Sequence, residues 1–147
     1  MRVSIASGRR AACCTALAFI FVAGGCARAS GGEGVEWGTS LHQALSASTR
    51  DRMPVFVYYA HDWDHWCHRM ESETFRDPGV RSALRGYHLV RIDPDKDPDD
   101  TNKYDVYLCP SFIILDHRGE EMYHAVGFRT PTQMMRDFTN AREHPNG

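Results

Sequence analysis

Thiols, imidazoles and carboxylates crowd one short stretch of this chain, His61-Asp62-Trp63-Asp64-His65-Trp66-Cys67-His68. A cysteine near the start of a helix is set up to be a nucleophile, because unpaired N–H groups and the helix dipole favour its thiolate. Disulfide exchange then needs a second thiol to resolve the mixed disulfide. The thiols available are Cys13, Cys14, Cys26, Cys67 and Cys109. Imidazole beside thiolate also suits copper or zinc, so Cys67, Cys109, His61, His65 and His68 form a candidate metal set. The spacing of that set matches no standard zinc module, and loop histidines are commonly just solvated.

Three of the five thiols belong to an address segment. Arg2, Arg9 and Arg10 precede an apolar run from Ala11 to Val22, shorter than the roughly 20 residues a spanning helix needs. A basic start, a short apolar run and small residues after it read as a secretory signal over residues 1–25. The exit, Val22-Ala23-Gly24-Gly25-Cys26, is similar to the lipobox of bacterial lipoproteins, in which the cysteine is lipidated and becomes the mature N-terminus. That assigns Cys26 to lipidation and places the domain outside the cytoplasm, anchored to a bacterial membrane on its periplasmic side. Two alternatives are cleavage after Ala27-Arg28-Ala29, giving a secreted protein, and an uncleaved anchor. Either cleavage removes Cys13 and Cys14, and Cys67 and Cys109 are left to do chemistry.

The elements that must position them fit one domain. The chain has 147 residues, 42% hydrophobic and 24% charged, which excludes a disordered chain and a polytopic membrane protein. Five cysteines are too few and too unevenly placed for a disulfide scaffold. The net charge of −2 moves to −5 once the leader arginines leave, with 14 basic against 19 acidic residues, and this argues against nucleic acid as a partner. Residues 26–36 read as anchor and flexible spacer, 37–142 as the domain and 143–147 as a tail. Within the domain, Leu41, Ala44 and Leu45 share a helical face behind a Ser40 cap. Val55 to Ala60 is a continuous β-prone run, typical of a strand buried on both faces. Cys67, Met70 and Thr74 fall at helical spacing, and Asp77-Pro78 opens a further helical turn. His88–Ile92 and Ser111–Leu115 read as strands, with a short helix between them at Asp99–Tyr104. His117–Glu120 turns into a hairpin partner at Met122–Val126. Met134, Met135, Phe138 and Ala141 mark a closing amphipathic helix. Early strands separated by helices predict parallel pairing, with the last hairpin adding an antiparallel edge.

The run Asp93-Pro94-Asp95-Lys96-Asp97-Pro98-Asp99-Asp100 invites a calcium-loop reading. Pro98 stands where that loop needs glycine and Tyr104 where it needs a bidentate glutamate, so the run reads as a solvated acidic connection. Trp63, Trp66, Tyr58 and Tyr59 are candidates for a peptide-binding surface; Tyr58 reads better as core, and Trp66 stands open between core and surface.

The order of elements, and the motifs on it, resemble the thioredoxin-like superfamily. Trp63 and Cys67 match the tryptophan and second cysteine of its Trp-Cys-x-x-Cys redox loop, while Asp64 stands where the first, nucleophilic cysteine belongs. Glu71-Ser72-Glu73-Thr74-Phe75 resembles the Glu-x-Glu-Thr-Phe stretch that follows the motif in one subgroup. Cys109-Pro110 matches the cis-proline position and Gly127 the glycine after the hairpin. The resemblance implies a thioredoxin-like α/β fold with a central mixed β-sheet flanked by helices, no cofactor, and client proteins of the cell envelope as partners. It also implies a cis Pro110 that shapes a substrate surface with Trp63 and Trp66. Cys67 and Cys109 would then converge although they are 42 positions apart. Three outcomes remain for that pair: a disulfide, a metal site, or separate thiols. Asp64 is an excellent N-cap for the Cys67 N–H, and its charge would raise the Cys67 pKa. Catalytic candidates are therefore Cys67, Cys109, Asp64 and Pro110, for thiol–disulfide handling or thiol-dependent client binding. The alternative is a binding module that lost exchange chemistry with its nucleophile.

Overall fold

A computed structural model describes residues 34–143; the expected leader, Cys26 with its expected lipidation, and the end of the tail lie outside the described residues. Ser40 caps α1 (Leu41–Asp51) by accepting the Gln43 N–H at 3.3 Å, and Leu41 turns into the core beside Ala44 and Leu45. β1 (Val55–Tyr59) is buried at all five positions, as its unbroken apolar run requires. α2 (His65–Arg69) continues as a π-helical turn, Met70–Thr74, which the Phe75 N–H closes on the Met70 carbonyl at 3.0 Å. The wider turn puts Met70, Thr74 and Phe75 on the buried side together with Cys67.

Asp77 caps α3 (Pro78–Leu84), whose first residue is a proline that needs no N–H partner there. β2 (His88–Ile92), α4 (Pro98–Lys103), β3 (Ser111–Leu115), β4 (Glu121–Val126) and α5 (Pro131–Glu143) complete the chain. A Thr130/Gln133 capping box starts α5: Gln133 Oε1 accepts the Thr130 N–H at 2.9 Å, and Thr130 Oγ1 accepts the Gln133 N–H at 3.3 Å. Its buried face carries Met134, Phe138 and Ala141. Met135, expected on that face, is 39% exposed because one residue further round the helix points it about 100° away.

The sheet order is β2-β1-β3-β4. β1 and β2 pair in parallel, whereas β3 pairs antiparallel to β1, with Val55 opposite Leu115. This corrects the expectation of parallel pairing for all the helix-separated strands. β2 ends beside Tyr59 and β3 begins beside Tyr59, so the α4 connection stays at one end of the sheet and β3 must run back. Phe56, Tyr58, Phe112, Met70, Phe75 and Phe138 fill one face of the sheet; Val55, Val57, Tyr59, Val90, Ile113 and Leu115 fill the other.

Candidate functional site

Three connections meet at one end of the sheet: the loop after β1, the loop after β2, and the segment entering β3. The first carries Asp64, which sits in extended conformation and caps α2, its Oδ1 accepting the Cys67 N–H at 2.8 Å. The Cys67 side chain lies in the core, where the Tyr58 hydroxyl donates to the Cys67 carbonyl at 3.2 Å. Tyr58 and Tyr59 are both fully buried and belong to the core.

The segment entering β3 brings Cys109, half-buried, with the Cys109-Pro110 peptide bond in the cis form. The turn after β4 braces it: the Gly127 N–H donates to the Pro110 carbonyl at 2.7 Å, and Gly127 takes a φ of 88° that favours glycine. Cys67 and Cys109 are free thiols, the first buried in the apolar cluster against which the second packs. The backbone N–H of His61 faces both thiols and lowers each one's pKa in part. Burial, then the hydrogen bond to Asp64, nonetheless pushes Cys67 up to about 12. Burial, then the charges of Asp64, Asp93 and Asp95, pushes Cys109 up to about 11. The Asp64 carboxyl moves the other way. Burial pulls it up, but hydrogen bonds from the Cys67 backbone, the Cys67 thiol and the Trp66 backbone hold it below the usual carboxylate range.

The acidic connection is not wholly solvated. Asp93 is 8% exposed, accepting the Asp95 N–H at 3.1 Å and pairing with Lys96 at 2.8 Å. Its burial follows from its position directly after β2, beside the His61 loop; a one-dimensional charge pattern carries no sign of that neighbour. His61 Nδ1 stands 3.6 Å from Asp93 and 3.2 Å from Asp95, and its ring stacks on Trp63 at 4.7 Å. Lys96 also reaches Asp62 at 2.7 Å, and Arg91 joins Asp62 at 2.8 Å to Glu71 at 3.0 Å.

Among the described residues, one group of three ligand-type side chains gathers its donor atoms, and it is His61, Asp93 and Asp95. The candidate metal set of Cys67, Cys109, His61, His65 and His68 is not brought together. His65 packs edge-on to Trp66, and His68 is an exposed side chain 3.9 Å from Glu71. Trp63 is 72% exposed and donates to Asp95 at 3.3 Å, while Trp66 is 48% exposed and packs on Phe128. The Arg69 guanidinium lies over both Trp66 and Phe128, at 5.5 and 4.7 Å. Tyr107 and Leu108, directly before Cys109, are 79% and 65% exposed. Their sequence signal was an apolar pair placed in a loop rather than in a strand.

A four-stranded mixed sheet, a capped helix carrying a cysteine after its central strand, and a cis-proline facing that helix together define a thioredoxin-like fold. The family described as "Protein of unknown function, DUF255", a thioredoxin-like DsbH family, matches residues 27–112, and the chain belongs to it. Thiol:disulfide interchange protein DsbD 2 of Pseudomonas aeruginosa is 33% identical over 85 residues, 55% of this chain and 14% of that protein. Thiol:disulfide interchange protein DsbD of Ralstonia nicotianae is 30% identical over 95 residues, 61% of this chain and 16% of that protein. The chain thus spans less than a fifth of the length of these relatives. Among solved structures, a thioredoxin from Thermus thermophilus has a TM-score of 0.64 at 21% identity, covering 74% of this chain and 88% of that one. The C-terminal domain of Neisseria meningitidis DsbD in the oxidised form has a TM-score of 0.63 at 17% identity, covering 73% and 100%.

Proposed function

We propose that Cys67 and Cys109 are a split dithiol pair with which this domain reduces disulfides of client proteins outside the cytoplasm. The observation that carries the reading is that both thiols, distant in sequence, pack at one apolar cluster, Cys67 inside it at the start of α2 and Cys109 against it directly before the cis Pro110. Kinship with thiol:disulfide interchange proteins supports the chemistry. Cys109, the more accessible thiol, attacks as a thiolate on one sulfur of a client disulfide. The client's other sulfur leaves and takes up a proton. Cys67 then loses its proton and attacks the Cys109 sulfur, releasing the client's second thiol and leaving a Cys67–Cys109 disulfide. Two electrons pass to the client, and a dithiol protein must return them. Trp63, Trp66 and Pro110 line the approach, and Asp64 holds the α2 terminus. The leader and Cys26 support a lipid-anchored location on the outer side of a bacterial membrane. Among the described residues no helix is long and apolar enough to cross a membrane.

The deciding experiment is trapping. Cys67→Ser should accumulate mixed disulfides through Cys109, and Cys109→Ser should accumulate none. A wild-type protein that stays fully reduced in oxidised glutathione, with no trapped species from Cys67→Ser, would overturn the exchange reading. That result would leave a client-binding module, a reading favoured by the raised pKa of both thiols.

A further inference from the structure

Six large apolar side chains are exposed among the described residues, and four of them, Trp63, Trp66, Tyr107 and Leu108, stand on the two segments that carry Asp64, Cys67 and Cys109. Interleaved with them are carboxylates. Asp95 is exposed beside Trp63, and Asp105 is exposed and accepts the Tyr107 hydroxyl at 3.0 Å. Residues 93–105 hold six aspartates against two lysines.

The cations near this rim are already engaged, Lys103 over the Tyr104 ring at 4.9 Å and the others with carboxylates. Lys96 is shared by Asp62 and Asp93, Arg91 by Glu71 and Asp62, and Arg69 pairs with Glu73 at 2.9 Å. The half-buried Cys109 therefore faces an apolar rim under a negative potential, felt at its sulfur from Asp64, Asp93 and Asp95. A thiolate is costly to form there unless a positive charge arrives with the client.

We infer that the client segment this site takes is a basic one, with Lys or Arg beside the reacting cysteine and an aromatic residue next to it, and that its cation assists the ionisation of Cys109. The inference rests on the exchange reading and gives it a substrate class. The aromatic residue lies among Trp63, Tyr107 and Leu108, and the Lys or Arg meets Asp95 and Asp105. With that cation in place, the Cys109 proton leaves to solvent at lower cost, and the thiolate attacks the client sulfur as described above. An acidic client adds a further negative charge beside the thiol and is repelled.

The test uses the Cys67→Ser protein, which stops at the mixed disulfide, and two synthetic peptides, Lys-Cys-Lys-Trp and Glu-Cys-Glu-Trp. Each peptide carries its cysteine as a disulfide with nitrothiobenzoate, whose release gives the rate. Each rate is divided by that of the uncharged thiol 2-mercaptoethanol with the same peptide, which removes intrinsic reactivity. The basic peptide should react about tenfold faster at low salt, with the advantage shrinking at high salt. In a protein also carrying Asp95→Asn and Asp105→Asn, the ratio of the two rates should fall toward one. Equal normalised rates in the Cys67→Ser protein, or faster reaction of the acidic peptide, would overturn the inference. If neither peptide releases nitrothiobenzoate, the exchange reading fails separately. Titration calorimetry with Cys→Ser versions of both peptides then decides the charge preference: tighter binding of the basic peptide upholds it, and equal binding overturns it.

Discussion

Asp64 accepts the backbone N–H of Cys67 at 2.8 Å, and after burial its carboxylate is what raises the pKa of the same residue's thiol. One carboxylate thus caps the helix and opposes the ionisation that a helix N-terminus would otherwise favour in Cys67. The position where the thioredoxin-like pattern has a nucleophile instead holds a carboxylate that adds to burial in raising the pKa of both remaining thiols.

Removing that charge while keeping the cap separates the two roles. Asparagine caps nearly as well as aspartate, so Asp64→Asn should unfold within about 1 kcal/mol of wild type. The pKa of Cys67 and Cys109 should fall, and alkylation of Cys109 by iodoacetamide near neutral pH should accelerate several-fold. Unchanged alkylation rates would show that burial alone sets thiol reactivity. Asp64→Cys supplies the missing thiol and should raise insulin-reduction activity at least about tenfold, since exchange scales with the accessible thiolate.

The pH dependence has a definite sign. Thiols whose folded pKa lies above the unfolded value bind their protons more tightly when folded. Their contribution to stability is complete below the unfolded value, about 8.5, and is lost as pH rises toward the folded values of about 11 and 12. Urea midpoints should therefore decline above about pH 9, and the decline should weaken in Cys67→Ser. Over the same range Cys109 alkylation should climb close to tenfold per pH unit, with no plateau before about pH 10. A plateau near neutral pH would mean an activated thiolate and contradict the site described here.

The brace under Pro110 offers a stability test. Asp137 is 8% exposed and accepts both the Tyr123 hydroxyl at 2.7 Å and Arg129 Nε at 2.9 Å. Arg129 also donates to the Val126 carbonyl at 2.9 Å and accepts the Thr74 hydroxyl at its own carbonyl. Arg129→Ala leaves a largely buried carboxylate short of its cation and should cost about 2–3 kcal/mol. Thermal unfolding reads it, and Arg129→Lys should recover part of the loss because a charge returns without the fixed geometry of guanidinium.

Anchoring is tested outside the folded domain. Labelled palmitate should be incorporated into the full chain in a bacterial host and be lost in Cys26→Ala. Incorporation that survives the substitution would remove the lipidation assignment.

Much of this protein was legible one segment at a time. The strand runs, the Ser40 and Asp77 caps, the both-face burial of β1 and the Asp64 hydrogen bond to Cys67 depend on residues within a few positions of each other, so local pattern suffices. The shape of the α4 connection was less legible. Short helices between strands commonly signal parallel crossovers, but a six-residue helix that never travels the length of the sheet carries no such constraint, and β3 runs antiparallel.

Sequence by itself determined which chemical groups the domain keeps: two thiols, a carboxylate in place of a third, and the aromatics beside them. Only the tertiary structure decided that Cys109 packs against the cluster that buries Cys67, that Asp93 leaves solvent for the His61 loop, and that the candidate metal set stays dispersed. The reason is physical. Which segments meet across 42 positions is fixed by sheet register, and burial of a charge by which loop packs over it. Neither quantity is carried by any short stretch of residues.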